Sequence, residues 1–308
     1  MPILGCLRGD EDFMSGTSKT EMDSSGFQQF ESLNDSKYLL VSKQLIEVLE
    51  GKQGEENNAS WIVQRYLSID KFVDSTLHRY FYMAAPKKWD DPFETMYLDS
   101  LDSQSSPYNK QEGLSELKNM SIFCVCMTYN NSDNEEASWK AYSDNMERVI
   151  RVTYDFKKLC SIIEEVKEKD FYIGKVDYRS REFILAPNNV SDKMEMPLIE
   201  TTFVNNFCLK QEAYQYEKEL RFCIIKKGDH YKKVDYYKIE GIDLTPAITK
   251  ITLPPINYNG MLIAEEIEKK AKQHINYLLL KTLCPEVPIH VSNLYDKSQV
   301  EMTSEIKL

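Results

Sequence analysis

The sequence predicts an α+β fold with a mixed, largely antiparallel sheet and flanking helices, and three observations predict it. Short apolar runs rich in aromatic and β-branched residues ("WIVQRYLS", "RYFYMAAP", "SIFCVCMT", "ERVIRVTYD") interleave with amphipathic stretches at helical spacing ("IDKFVDSTLH", "FKKLCSIIEEVKEKD"). No glycine-rich phosphate loop opens any helix, so neither a P-loop nor a dinucleotide fingerprint is present. The chain has 308 residues, 42% of them hydrophobic, which is enough for a substantial core.

In chain order, residues 1–35 are rich in Ser, Asp, Glu and Gly and lack a sustained period, so a disordered or weakly ordered arm is expected there. Residues 36–308 are read as one domain. "DSKYLLVSKQLIEVLEG" has apolar residues at helical spacing, a cap at Asp35 or Ser36 and a stop at Gly51, and is expected to be a helix. From residue 61 a strand carrying Arg65, a helix with Asp70 near its start and an aromatic strand follow one another. In "KKWDDPFE" Pro92 fixes a turn crowded by Asp90, Asp91 and Glu94, and Trp89 and Phe93 are expected to be buried as its anchors. "SIFCVCMT", the short helix "ASWKAYS" and the strand "ERVIRVTYD" repeat the rhythm. Beyond them "FYIGKVDYRS" and "LRFCII" read as strands, as do "HYKKVDYYKIEG", "AITKITLPP" and "PEVPIHVSNL". "GMLIAEEIEKKAKQHINYLLLKTL" reads as one long helix.

Charge and cysteine usage narrow the function classes. With 49 acidic and 38 basic residues the formal charge is -11, which disfavours general binding of nucleic acid or anionic membrane. No apolar run reaches the roughly 18 residues of a membrane span, and the amino terminus lacks the apolar stretch of a secretory signal, so a cytoplasmic location is expected. Seven cysteines at irregular spacing, with Cys124 and Cys126 two apart on an apolar strand, read as buried reduced thiols. The four histidines are scattered singly, and no metal site is predicted from them.

"EAYQYEKELRFCII" raises a separate question, because Glu217, Glu219 and Arg221 stand at every second position. In a pleated strand all three project from one face. Two carboxylates that close repel unless a cation lies between them.

Three stretches together resemble a known family. They are "VQRYLSIDKFVDSTLHRYFYMAAPKKWDDPFE", "FCVCMTYNNSDNEEASWKAYSDNMERVIRVTYD" and "LKQEAYQYEKELRF". They are similar to the bacterial domain of unknown function 2971, related to abortive-infection proteins of the AbiGi type. The corresponding residues are Arg65, the turn at 86–94, Cys124, Trp139 with Tyr142, and finally Lys210, Tyr214, Glu217, Glu219 and Arg221. The resemblance covers about residues 60–225, leaving 226–308 as a strand-and-helix extension. Tyr214 stands where the family has Trp, and Glu147 and Arg148 stand where it has a Gly.

The order of elements is also similar to the split-sheet core of ADP-ribosyltransferases, and that likeness implies a set of roles. NAD would be the substrate, with Glu219 catalytic and Glu217 supporting it beside an oxocarbenium-like ribose cation. Arg65 would clamp the pyrophosphate, Tyr142, Trp139 and Ser138 would cradle the nicotinamide end, and Arg221 would hold Glu219. Glu219→Gln would then lower NAD cleavage about 100-fold and leave the fold as stable as before. The partner would be an unidentified macromolecular acceptor or protein in phage defence. Two other classes stay open. One is a non-catalytic sensor or antitoxin-like module that docks through the acidic turn and the long carboxy-terminal helix. The other is a metal-dependent nuclease built on Asp90, Asp91, Glu94, Glu217 and Glu219.

Overall fold

A computed structural model describes residues 27–29, 39–42, 62–89, 91, 93–94, 118–129, 136–141, 148–166, 171–180, 204, 207–257 and 260–295. The first strands, β1 (Phe27–Gln29) and β2 (Leu39–Ser42), lie at one end of a sheet. They depart from expectation. β1 falls within the stretch read as an arm, and β2 lies inside the expected helix, because pairing with a core strand decides "LLVS" where local periodicity pointed to helix.

Next come β3 (Ile62–Ser68), α1 (Ile69–Leu77) and β4 (Tyr80–Ala84). The Ser68 hydroxyl caps α1 by accepting from the Lys71 amide at 3.3 Å, and Ile69 and Phe72 turn inward. Arg79, at φ 53°, reverses the chain into β4. β5 (Met120–Thr128), α2 (Glu136–Ala141) and β6 (Val149–Asp155) follow. Asp155 then caps α3 (Phe156–Glu165), which buries Phe156, Leu159, Cys160 and Ile163 at helical spacing. β7 (Phe171–Lys175), β8 (Asp177–Arg179), β9 (Leu209–Gln211) and β10 (Glu219–Lys227) lead to β11 (Tyr236–Glu240) and β12 (Ile248–Leu253). The described chain closes with α4 (Ile263–Leu283) and β13 (Ile289–Val291).

Eleven of these strands form one sheet in the order β1-β2-β7-β10-β5-β3-β6-β12-β13, with β4 pairing to β5 and to β11. The β2–β7 and β12–β13 pairs are parallel and the other pairs of this sheet are antiparallel, so the sheet is mixed and mostly antiparallel as predicted. β8 and β9 form a separate parallel pair. The large sheet splits at β5. Its end pairs with β3 at Thr128, whereas its middle pairs with β4 at Cys124. Among the described residues no helix is long and apolar enough to cross a membrane.

The two faces of the sheet differ in chemistry. One carries Val63, Leu67, Phe81, Phe123, Val125, Val152, Leu220, Phe222 and Ile224, which merge with α1 and α3 into the main core. The other is also buried, yet its strands contribute Gln64, Thr128, Arg151, Thr153, Glu219, Arg221 and Thr252. The register fixes the assignment. Glu219 opposes Thr128, Thr128 opposes Gln64 and Gln64 opposes Thr153, and directly opposed side chains share a face.

Candidate functional site

The polar face reaches its highest charge density at the start of β10. Glu212–Glu217 form a 3-10 helix, and Lys218 then adopts the left-handed conformation at φ 43° before β10 begins. Glu217 is therefore not a strand residue, contrary to the period-two expectation, and the kink at Lys218 is the reason. Glu219 and Arg221 do share a face of β10 as predicted. Gly174, with no side chain, stands opposite Arg221 on β7 and leaves room for the guanidinium.

Arg221 is 0% exposed and engages three groups. Its Nε donates to Glu219 Oε1 at 2.9 Å, and its Nη2 donates to Glu219 Oε2 at 3.1 Å and to Glu94 Oε1 at 2.9 Å. Its Nη1 donates to the Phe207 carbonyl. The Trp89 ring lies against the guanidinium, 4.3 Å from Cζ to the ring centroid. Lys210, from β9, places its Nζ 3.0 Å from Glu94, 2.7 Å from Glu217 and 3.3 Å from Glu219, with the Tyr214 ring 4.9 Å away. The cation that the spacing of the carboxylates called for is supplied by the chain itself. Three carboxylates close on one ammonium where a metal-binding cluster would hold a divalent ion, and among the described residues no group of three or more His, Cys, Asp or Glu is disposed to hold a metal.

Electrostatics follow from this geometry. Burial alone would raise the Glu219 carboxyl, but Arg221 and Lys210 override it and hold its pKa down at about 2. Glu217, at the rim, is raised by burial, which its Lys210 contact only partly offsets. Burial would lower the Lys210 ammonium, and Glu219, Glu94 and Glu217 together raise it instead. Three acids against two cations leave one surplus negative charge. The Tyr178 hydroxyl accepts from the Glu219 amide at 2.9 Å. Beneath Arg221, the sulfurs of Cys124 and Cys223 approach to 3.2 Å. Burial raises both thiols, so they are inert core groups rather than nucleophiles.

The other predicted site residues are placed as follows. Arg65 projects from the opposite face to Glu219, since it follows Gln64 in β3. There its Nη2 donates to the Tyr82 carbonyl at 3.3 Å, its Cζ stands 5.5 Å from the Phe81 ring, and it lines a cleft with Ser75, Thr76, Tyr80 and Asp243. Ser138 and Trp139 are buried in α2, which packs beside the 3-10 helix Glu212–Glu217. Trp139 meets the Tyr66 ring edge-on at 5.1 Å, and the Arg151 guanidinium lies 5.8 Å from its centroid, so its ring is engaged by the fold. Tyr142, Asp90 and Pro92 lie outside the described residues. Trp89 and Phe93 are half-buried rather than core anchors.

Sequence reasoning missed the part that four residues play. Lys210 was read only as a motif position, Glu94 as a turn residue and candidate metal ligand, and Arg151 and Thr153 not at all. The signal was present for the last pair, since "VIRVTYD" alternates Arg and Thr with apolar residues in a strand buried on both sides. The Trp139 Nε1 and Thr153 Oγ1 atoms are buried without a hydrogen-bond partner among the described residues.

Residues 138–222 match the model of a family described as a protein of unknown function, DUF2971. The matched segment contains Lys210, Glu217, Glu219 and Arg221. No curated protein and no solved structure is found to match this chain.

Proposed function

We propose that this chain is a non-catalytic interaction module of the cytoplasm that docks a partner on the outer face of α4. The observation that carries this reading is the closed state of the acidic cluster. Glu94, Glu217 and Glu219 are each at most 8% exposed, and each contacts Lys210 or Arg221 at 3.3 Å or less. A carboxylate that stabilises a developing cation must face that cation, and Glu219 already faces two. The acidic turn offers no docking surface at Glu94, which is drawn into the cluster. α4 does offer one, since only Leu280 of its 21 residues is buried. The resemblance to abortive-infection proteins supports a sensor or antitoxin-like role in phage defence. The test is incubation of the purified chain with labelled NAD and cell extract. No nicotinamide release and no labelled macromolecule are expected, and release that disappears in Glu219→Gln would overturn the reading.

One observation favours a second reading as an ADP-ribosyltransferase or NAD glycohydrolase: β5 pairs with β3 at Thr128, the residue directly opposite Glu219, and parts from it beyond that point to pair with β4. In that reading NAD is the substrate and Glu219 stabilises the ribose cation. Arg65, on the far face, could not clamp the same dinucleotide. Arg151 shares the Glu219 face, but it is buried against Trp139. The same assay decides between the two readings.

A further inference from the structure

α4 is turned inside out relative to an ordinary surface helix. Its inward contacts are polar as well as apolar: Gln273 donates to the Pro254 carbonyl at 3.0 Å and Lys281 to the Val287 carbonyl at 3.2 Å, with Leu280 as the buried anchor. Its outward side carries Ile263 (78% exposed), Ile267 (63%), Ile275 (63%), Leu278 (51%) and Leu279 (39%). Apolar side chains clustered in this way on a helix about 30 Å long exceed the single exposed residues that monomers scatter over their surfaces.

Four of these residues, Ile263, Ile267, Ile275 and Leu279, fall on one ridge of i, i+4 spacing with Ala271 at its centre. The ridge reads the same in both directions, two large residues on either side of one small one. We infer that α4 pairs with α4 of a second copy of this chain about a two-fold axis at Ala271, an inference that rests on the docking-module reading above. A two-fold interface requires a surface complementary to itself, and a ridge symmetric about its midpoint meets that requirement. Ridges of i, i+4 spacing interdigitate at about -50°, and Ala at the crossing lets the axes approach to about 8 Å. The axis brings Ile267 of one copy beside Ile275 of the partner.

Charge selects the same occupant. Each chain carries a formal charge of -11, so two copies repel over most of their surfaces. α4 does not share that excess of acid, with three Glu (Glu265, Glu266, Glu268) against four Lys (Lys269, Lys270, Lys272, Lys281). The two lysines that flank Ala271 are matched within the helix, Lys270 to Glu266 at 2.6 Å and Lys272 to Glu268 at 2.7 Å. A strongly basic or acidic partner would find no field to match there, whereas a second α4 meets a surface as balanced as itself.

The experiment is sedimentation of the full chain over a range of micromolar concentrations, together with cysteine cross-linking. The wild type is expected to sediment as a dimer, and Ile267→Glu with Ile275→Glu as a monomer with an unchanged thermal midpoint. Mild oxidation is expected to yield a covalent dimer from Ala271→Cys and none from Thr282→Cys, which is also exposed but off the axis. A wild type that stays monomeric at the highest concentration overturns the pairing, as does a dimer indifferent to the double substitution. Either result leaves the docking-module reading standing, because only nicotinamide release removes it.

Discussion

Arg221 and Phe222 are neighbours in β10, both 0% exposed, and they are buried by opposite means. Phe222 contacts the rings of Phe81, Phe156 and Phe171, contacts that are numerous and individually weak. Arg221 is held by a few directed bonds to Glu219, Glu94 and the Phe207 carbonyl. The difference lies in how each face fails. An apolar face loses stability in proportion to what is removed, whereas a buried ionic face fails by leaving a charge without its counter-charge.

The sharpest way to break this comparison is Arg221→Met. Glu219 and Glu94 would remain buried with only Lys210 to serve them, and a loss of about 5 kcal/mol is expected in denaturant unfolding, the upper end for removing one partner of a buried pair. A loss below about 1 kcal/mol would mean that the polar face is as forgiving as the apolar one. On the other face, Phe222→Ala is expected to cost about 4 kcal/mol, and Phe222→Leu only about 1 kcal/mol, because a volume-conserving change repacks. No such graded series exists for Arg221.

Acid separates the faces by a different route. Glu219 is held at about 2, below the ordinary carboxylate value of 4.5, so its contribution is fully present above pH 4.5 and is lost as the pH falls toward 2. That contribution is roughly 3 kcal/mol. Unfolding free energies measured at pH 7 and pH 3 should show the loss, and Glu219→Gln should remove most of that dependence. Glu219→Gln should also destabilise the protein at neutral pH. The expectation that it would be neutral rested on relief of a like-charge contact, and the bonds to Arg221 at 2.9 and 3.1 Å outweigh that relief. The smallest effect belongs to Glu217→Gln. Its described side-chain partner is Lys210 at 2.7 Å, and removing its charge also removes the surplus of acids over cations, so a change within about 1 kcal/mol of zero is expected at pH 7. A large loss there would show that the surplus charge is accommodated elsewhere.

Much of the sheet was legible because its strands announce themselves by period and by apolar content. Glu219 and Arg221 were placed on one face by alternation alone. Alternation does not say which face, however, and Arg65 shows the limit, since only the Gln64–Thr128 register places it opposite Glu219. Glu217 was misplaced because Lys218 takes a left-handed conformation, which for Lys leaves no mark in the sequence. Lys210 as the central cation was hidden because β9 pairs with β8 rather than with β10. The helix α4 was legible in length but not in orientation. Amphipathic periodicity identifies an apolar stripe, and the usual inference that it faces inward fails at Ile267 and Ile275.

The ionic cluster also has a direction in time. Lys210, Glu217, Glu219 and Arg221 lie within a short stretch of chain and carry two charges of each sign, so they can meet early at little cost in loop closure. Glu94 is 127 residues from Arg221 and joins only when the distant turn docks. Loop-closure cost then predicts that its contacts form late in folding and open early in unfolding. Glu94→Gln should therefore steepen the loss of native protein by accelerating unfolding several-fold while refolding in dilute denaturant proceeds at the parent rate. Stopped-flow traces of both limbs would report it, and a slowed refolding limb would place the turn in the nucleus instead. A contact of that kind would govern how long the native state lasts more than how fast it forms.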